Sequence, residues 1–150
     1  MVIPPVPPGT IQAIAPVLSM LASMLSMASS IKNLVTQRKV SPDEAIALYK
    51  KSAKPAELRL LNDPKFAASV KATLTISGPL LDQFAKEAQK CEERHIQARN
   101  KANTENEKTQ AEISAAECIC SVLRLIKLRN RDVLPNDELE NWWNSYKCTP

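Results

Sequence analysis

The sequence predicts an all-α protein in which an apolar N-terminal helix is followed by a helical bundle containing a long antiparallel helical hairpin. Only 2 of the 150 residues are glycine, and aromatic residues make up 4% of the chain. A sheet protein usually has more aromatic and β-branched residues, with glycine at its turns. Four of the eleven prolines lie within the first eight residues, and most of the others fall where helices would begin or end.

The first segment, residues 1–9, has the sequence MVIPPVPPG. Proline lacks a backbone amide donor and restricts the residue before it to extended conformations. We therefore predict a polyproline-like arm that precedes the first helix.

Residues 10–37 are predicted to form a serine-striped helix that is uncharged as far as Ile31, and Pro16 either kinks this helix or marks its first turn. Residues 1–31 carry no ionisable side chain. As a helix, residues 10–31 would span about 33 Å, close to the thickness of a bilayer's hydrocarbon core. Polar residues recur along one side, and apolar residues cover the rest, so the helix must be buried. The polar residues predicted to line a pore or to pack against other helices are Gln12, Ser19, Ser23, Ser26 and Ser30.

Three kinds of burial fit this pattern, and the sequence does not choose between them. The helix can be the core of a soluble bundle, it can enter a membrane, or it can pack against copies of itself, where serines allow close approach or face water. The residues predicted to mediate self-association are Leu18, Leu21, Met24 and Leu25.

Residues 38–150 are predicted to form a charged helical bundle. A helix begins at Ser41-Pro42-Asp43-Glu44, where a capping serine, a proline and two acidic residues follow one another, and it ends near Ser52. A short helix spans residues 55–62. Another follows Asp63-Pro64 and ends near residue 77. Its predicted buried residues are Phe66, Val70, Leu74 and Ile76.

Residues 78–131 are predicted to form the hairpin, because a seven-residue apolar repeat is interrupted by a polar stretch around residue 104. Thr104 and Glu107 make a capping box at the turn. Folding the chain there places Cys91 opposite Cys118 and Leu81 opposite Leu128. The alternative is one continuous helix about 78 Å long.

A C-terminal helix is predicted over residues 136–147. It contains Trp142, Trp143 and Tyr146, which suit either a lid over the open end of the hairpin or an anchor at a membrane interface.

The sequence pattern predicts no catalytic site. The single histidine, His95, falls on the apolar seam of the hairpin and is interpreted as a hydrogen-bonded core residue. No phosphate-binding glycine loop is present, and the cysteine spacing does not fit zinc. Four cysteines are also too few and irregular for a secreted disulfide scaffold. We therefore expect no enzyme activity, no catalytic or metal-binding residues, no cofactor and no small-molecule substrate.

The functional prediction is a non-enzymatic, membrane-active helical protein whose N-terminal helix inserts or oligomerises into a pore or channel-type assembly. The alternatives are a structural subunit of a soluble or helical assembly, of coat or filament type, and a compact monomeric adaptor. The predicted partners are copies of the same chain, as a homo-oligomer, and a lipid membrane. Nucleic acid is not favoured, although Arg124, Lys127 and Arg131 form a basic patch on one helical face. Synthesis in the cytoplasm, with membrane association, is the predicted localisation.

Overall fold

The computed structural model describes residues 8–150, with side chains from residue 14 onward. This part of the chain folds into seven α-helices and contains no strand. They are α1 (Pro8–Arg38), α2 (Pro42–Ser52), α3 (Pro55–Leu61), α4 (Pro64–Thr73), α5 (Gly78–Lys101), α6 (Glu105–Arg129) and α7 (Asp137–Ser145). Residues 1–7 of the predicted arm lie outside the described residues. The prediction is wrong for Pro8 and Gly9, which begin α1.

Local sequence determines where the helices begin. Five of them, α1 to α5, have proline in their first two positions, where the missing amide costs no hydrogen bond. Side-chain caps complete several starts. Ser41 Oγ accepts from the Glu44 amide at 3.2 Å, and Thr104 Oγ1 accepts from the Glu107 amide at 3.1 Å. Inside α1, Pro16 neither starts nor ends the helix, so its interpretation as a first turn is wrong.

The hairpin is confirmed, and the continuous-helix alternative is wrong. A three-residue turn, residues 102–104, separates α5 from α6. A disulfide joins Cys91 to Cys118 with their Cα atoms 5.8 Å apart, which confirms the predicted register. Leu128 departs from the prediction because it is 69% exposed. It lies about 200° around the helix from the buried Ile126, so it points away from the seam.

Helix α1 forms the centre of the core. It packs most extensively against α5 and also contacts α2, α4 and α6. A Cβ placed on Gly78, at the start of α5, would lie 3.8 Å from Lys32 Cγ, near the end of α1. Because the two helices also share a long contact, α5 must run back along α1 in an antiparallel direction. The apolar side of α1 is therefore covered by the chain's own helices.

The remaining helices close the bundle around α1. The buried residues predicted for the segment after Asp63-Pro64 are confirmed, since Phe66, Val70, Leu74 and Ile76 are all at most 5% exposed. The helix itself, α4, ends at Thr73, before the predicted end near residue 77. Helix α7 covers part of α6, and its own residues Leu139 and Trp142 are buried in the core. This arrangement agrees with the lid interpretation of the aromatic C-terminal segment.

Candidate functional site

The polar side of α1 lies at the surface of the bundle. Ser19 and Ser30 are exposed, and Ser23 and Ser26 are half-buried. The side chain of Gln12 lies outside the described residues. The serines are therefore the water-facing side of a helix whose wider apolar side is buried, which reverses the proportions of an ordinary surface helix.

The residues predicted to mediate self-association are inaccessible in this fold. Leu18, Leu21, Met24 and Leu25 are each 0% exposed, because the other helices of the same chain cover them. Contact of these side chains with a second copy would require α1 to leave the bundle. Self-association through them therefore stays a prediction, and it becomes a prediction about an opened state.

Among the described residues, α1 is the helix that is long and apolar enough to cross a membrane, over Ile14–Arg38. Half of its most apolar window is buried inside the bundle. A core helix of a soluble protein and a signal sequence have the same length and composition, so this observation alone is weak support for insertion.

Few polar contacts hold α1 in place. Lys32 Nζ donates to the Leu74 carbonyl at 2.8 Å, and Asn136 Nδ2 lies 3.8 Å from Met24 Sδ. From residue 14 onward, α1 takes part in none of the ion pairs of the described chain. Apolar packing is therefore the main force that keeps α1 in the bundle.

Two disulfides form a second notable feature, and the prediction that the cysteines do not build a disulfide scaffold is wrong. One joins Cys91 of α5 to Cys118 of α6, and the other joins Cys120 of α6 to Cys148 beyond α7. Sequence reasoning missed the second pair. The available signal was the Cys118-x-Cys120 spacing, which directs two thiols to opposite sides of a helix, so that each needs a different partner.

A polar cluster of the hairpin consists of the buried residues His95 and Glu112 and the half-exposed Arg99. His95 and Glu112 are 5% and 4% exposed, which confirms His95 as a hydrogen-bonded core residue. His95 Nε2 lies 3.0 Å from Glu112 Oε1, and Arg99 Nη1 donates to the same oxygen at 2.7 Å. An ionised carboxylate only accepts, so His95 carries its proton on Nε2 in this arrangement.

The surroundings of this cluster indicate a structural role. Glu112 Oε2 is buried and has no hydrogen-bond partner among the described residues. Burial raises the pKa of Tyr146, and the negative charge of Glu112 raises it further. Since a substrate could hardly reach side chains that are 3% and 5% exposed, the cluster is better suited to fixing the two hairpin helices together than to proton transfer.

The predicted basic patch does not form one free surface. Arg124 Nε donates to the Thr149 carbonyl at 2.8 Å, and Lys127 Nζ lies 4.3 Å from the ring centroid of Trp143. Arg131 lies beyond the end of α6 with a φ of 58°. Two of the three cations therefore hold the C-terminal segment against α6, and this favours a structural role over phosphate binding.

Other site types are equally sparse. Within the described residues, no group of three or more histidine, cysteine or acidic side chains could hold a metal ion. A groove of about 310 Å³ near the hairpin turn is open to solvent and lined by small and exposed polar residues, among them Ala98, Lys101 and Gln110.

No protein-family model, curated protein or solved structure matches this chain.

Proposed function

We propose that this protein is a non-enzymatic, membrane-active protein that stores its inserting helix, α1, inside a disulfide-linked helical bundle. In this proposal α1 leaves the bundle at a membrane and assembles with other copies around the serine-bearing side. The observation that carries the proposal is the polarity of α1: residues 14–31 lack any ionisable side chain, and nine of their apolar side chains are buried. Ser19 and Ser30 are exposed and Ser23 and Ser26 are half-buried, whereas Ser29 is buried.

The positions of the disulfides support this function because neither disulfide joins α1 to another helix. Both disulfides lie within α5, α6 and the C-terminal segment. If α1 departs, the hairpin and the C-terminal segment stay linked. The connection between α1 and α2 is short, residues 39–41, and contains Lys39 in the left-handed region with a φ of 52°. A change of backbone angles in this link would let α1 swing away from the rest of the chain.

The energetics restrict release to an apolar environment. Nine apolar side chains of α1 are at most 5% exposed, and moving each large one into water costs about 1.5–3 kcal/mol. Seven of the nine are large, so the total is about 10–20 kcal/mol, which equals or exceeds the stability of a typical domain. Lipid can replace the covering helices at little cost for these side chains, whereas water cannot. We therefore expect α1 to stay in the bundle in solution and to leave it only at a membrane.

The disulfides also bear on where the protein acts. Stable disulfides are typical of oxidising compartments and rare in the cytosol of most cells. We propose that the chain acts after transfer to such a compartment, so the cytoplasmic part of the predicted localisation refers to its synthesis.

The test is release of a trapped dye from lipid vesicles. Wild-type protein should bind the vesicles and release the dye. The Ser23→Leu/Ser26→Leu variant should still bind but release little dye, because leucines would close the water-facing side of an assembled α1. A matched control is Ser114→Leu/Ser121→Leu, which changes two exposed serines of α6 and should leave both binding and release unchanged.

Two results would contradict the proposal. The first is the absence of dye release by wild-type protein from any vesicle composition. The second is undiminished release by Ser23→Leu/Ser26→Leu. The size of the protein in solution without detergent tests the alternative of a structural subunit. A monomer of 16.6 kDa supports the proposal that α1 is buried in its own bundle, whereas a large soluble particle favours a coat or filament protein.

A further inference from the structure

The two termini of the hairpin and the end of α1 lie at the same end of the molecule. The start of α5 is next to Lys32 of α1. Because the hairpin is antiparallel, with Cys91 bonded to Cys118, the end of α6 also lies beside the start of α5. The α1–α2 link, the last turn of α6 and the residues that follow α6 therefore share one end of the bundle.

Exposed cations and apolar side chains occur together at this end. We define the basic end by four exposed cations and two exposed apolar residues: Arg38, Lys39, Arg129, Arg131, Leu128 and Val133. None of the four cations has an ion-pair partner within the described residues.

The acidic residues near these cations do not balance them. Asp43 is paired with Lys71 at 3.0 Å, and Asp82 is paired with Lys86 at 3.2 Å. In the α1–α2 link, the first turn of α2, the last turn of α6 and residues 130–136, Glu44 and Asp132 are the acidic residues that form no ion pair within the described chain. The acidic first turn of α7, with Asp137, Glu138 and Glu140, begins only after Asn136, whose side chain lies against Met24, about two turns of α1 before Lys32. The segments that form this end therefore carry four unpaired cations and two unpaired anions, which is a net positive charge.

The apolar residues of this end are unusually exposed for a bundle whose other large apolar side chains are mostly covered. Leu128 is 69% exposed and Val133 is 55% exposed. The third exposed large apolar residue of the described chain is Ile96, which is 53% exposed and lies toward the hairpin turn. Two of the three are thus located among unpaired cations, an arrangement typical of surfaces that dock on lipid headgroups.

We infer that the basic end is the docking surface of this protein for a membrane containing anionic lipid. The cations face the lipid phosphates and carboxylates, and Leu128 and Val133 enter the boundary with the acyl chains. Leucine and valine do not provide the aromatic platform on which nucleic-acid bases stack, so lipid fits this surface better than a single-stranded nucleic acid. The inference rests on the proposed function and deepens it, because docking here brings the α1–α2 link to the headgroups before α1 inserts.

The experiment is flotation of the full-length protein with phosphatidylcholine vesicles, with and without phosphatidylserine. Wild-type protein should prefer the anionic vesicles, and raising the salt concentration should weaken the preference. Each basic residue near an anionic surface increases binding about fivefold. The Arg129→Gln/Arg131→Gln variant should therefore bind anionic vesicles roughly 25-fold less well. Leu128→Ser should reduce binding about tenfold or more.

Matched controls lie away from the basic end on the same hairpin. Arg94→Gln/Lys101→Gln removes two exposed cations of α5 that form no ion pair with any described residue, and Ile96→Ser removes the third exposed apolar residue. Both should bind as wild type does. Circular dichroism of each variant verifies that these surface substitutions leave the fold intact.

Equal losses in the control pair and in Arg129→Gln/Arg131→Gln would overturn the inference, because net charge rather than this surface would then govern binding. A wild-type protein without preference for anionic vesicles would overturn it as well. So would an Arg129→Gln/Arg131→Gln variant that loses affinity for an oligonucleotide but not for vesicles.

The two proposals can fail separately. If any of these results is found but the wild-type protein releases dye from neutral vesicles, the proposed function still holds. Normal anionic docking without dye release would contradict the proposed function and leave the docking surface standing.

Discussion

Removal of the Cys91–Cys118 disulfide is the perturbation whose effect the structure defines best. The bond closes a loop with a sequence separation of 27 residues. In the chain-entropy account, a cross-link over this separation lowers the entropy of the unfolded chain and stabilises the fold by about 3.5 kcal/mol. For a domain of this length that corresponds to a fall in Tm of about 10 °C. We expect this loss in Cys91→Ala/Cys118→Ala. Alanine is preferred to serine because Cys91 is 3% exposed, and a buried hydroxyl would add its own desolvation cost.

The assay is urea unfolding followed by circular dichroism, with wild-type protein and both double variants compared under non-reducing conditions. Cys120→Ala/Cys148→Ala is the companion variant, because its disulfide has a separation of 28 residues and should contribute nearly the same free energy. Mass spectrometry after thiol alkylation should detect no free thiol in the native protein. A loss below about 1 kcal/mol in Cys91→Ala/Cys118→Ala, outside the range for native disulfides, would refute the reasoning.

Three further predictions concern the interior and the helix ends. Glu112→Gln should lower the free energy of unfolding by about 1–3 kcal/mol, because the bond with His95 loses its ionised acceptor and Arg99 loses its ion-pair partner; the exposed Glu93→Gln is the control, and an equal loss there would contradict the role of burial. The pKa of Glu57 is held below its usual value of 4.5, first by the hydrogen bond from the Tyr49 hydroxyl and then by that from the Lys54 amide. Its stabilisation is therefore present above pH 4.5 and is lost as the pH falls through the lowered pKa, so urea titrations of Glu57→Gln and wild type should differ at neutral pH and converge in acid; a constant difference would disagree with this linkage. Lys147→Gly should raise the free energy of unfolding by about 0.5–1 kcal/mol, because Lys147 has a φ of 51° that glycine adopts without strain. The midpoint of thermal unfolding should therefore rise slightly; a lower midpoint would show that contacts of the lysine side chain contribute more than the backbone strain costs.

Most helix starts could be predicted from the sequence because they depend on neighbouring residues. Ser41 and Thr104 cap the helices that were predicted from them, and prolines stand in the first two positions of α2 to α5. The start of α1 at Pro8 is the exception, since it lies two residues before the predicted start. Capping bonds and proline geometry act within one helical turn, so they are visible in a short window of sequence. The same reasoning located the hairpin turn and placed Cys91 opposite Cys118, but it did not predict the disulfide that joins them.

The candidate site was only partly predictable. The predicted stripe of serines in α1 follows from helical periodicity alone, and the structure leaves its described members, Ser19, Ser23, Ser26 and Ser30, exposed or half-buried while most large apolar residues of α1 are interior. The pairing of Cys120 with Cys148 and the use of Arg124 and Lys127 to hold the C-terminal segment were not foreseen. These contacts depend on the direction in which α7 returns to α6, and that direction has no local signature.

The sequence by itself determined that residues 14–31 form an apolar helix that requires cover, because periodicity and the absence of charge are properties of the chain. Only the tertiary structure decided what provides that cover in the folded monomer. Lipid, a second copy and the chain's own helices all satisfy the same apolar side, since hydrophobic burial is non-directional. The antiparallel packing of α5 against α1 made the choice, because the hairpin presents an apolar side of matching length.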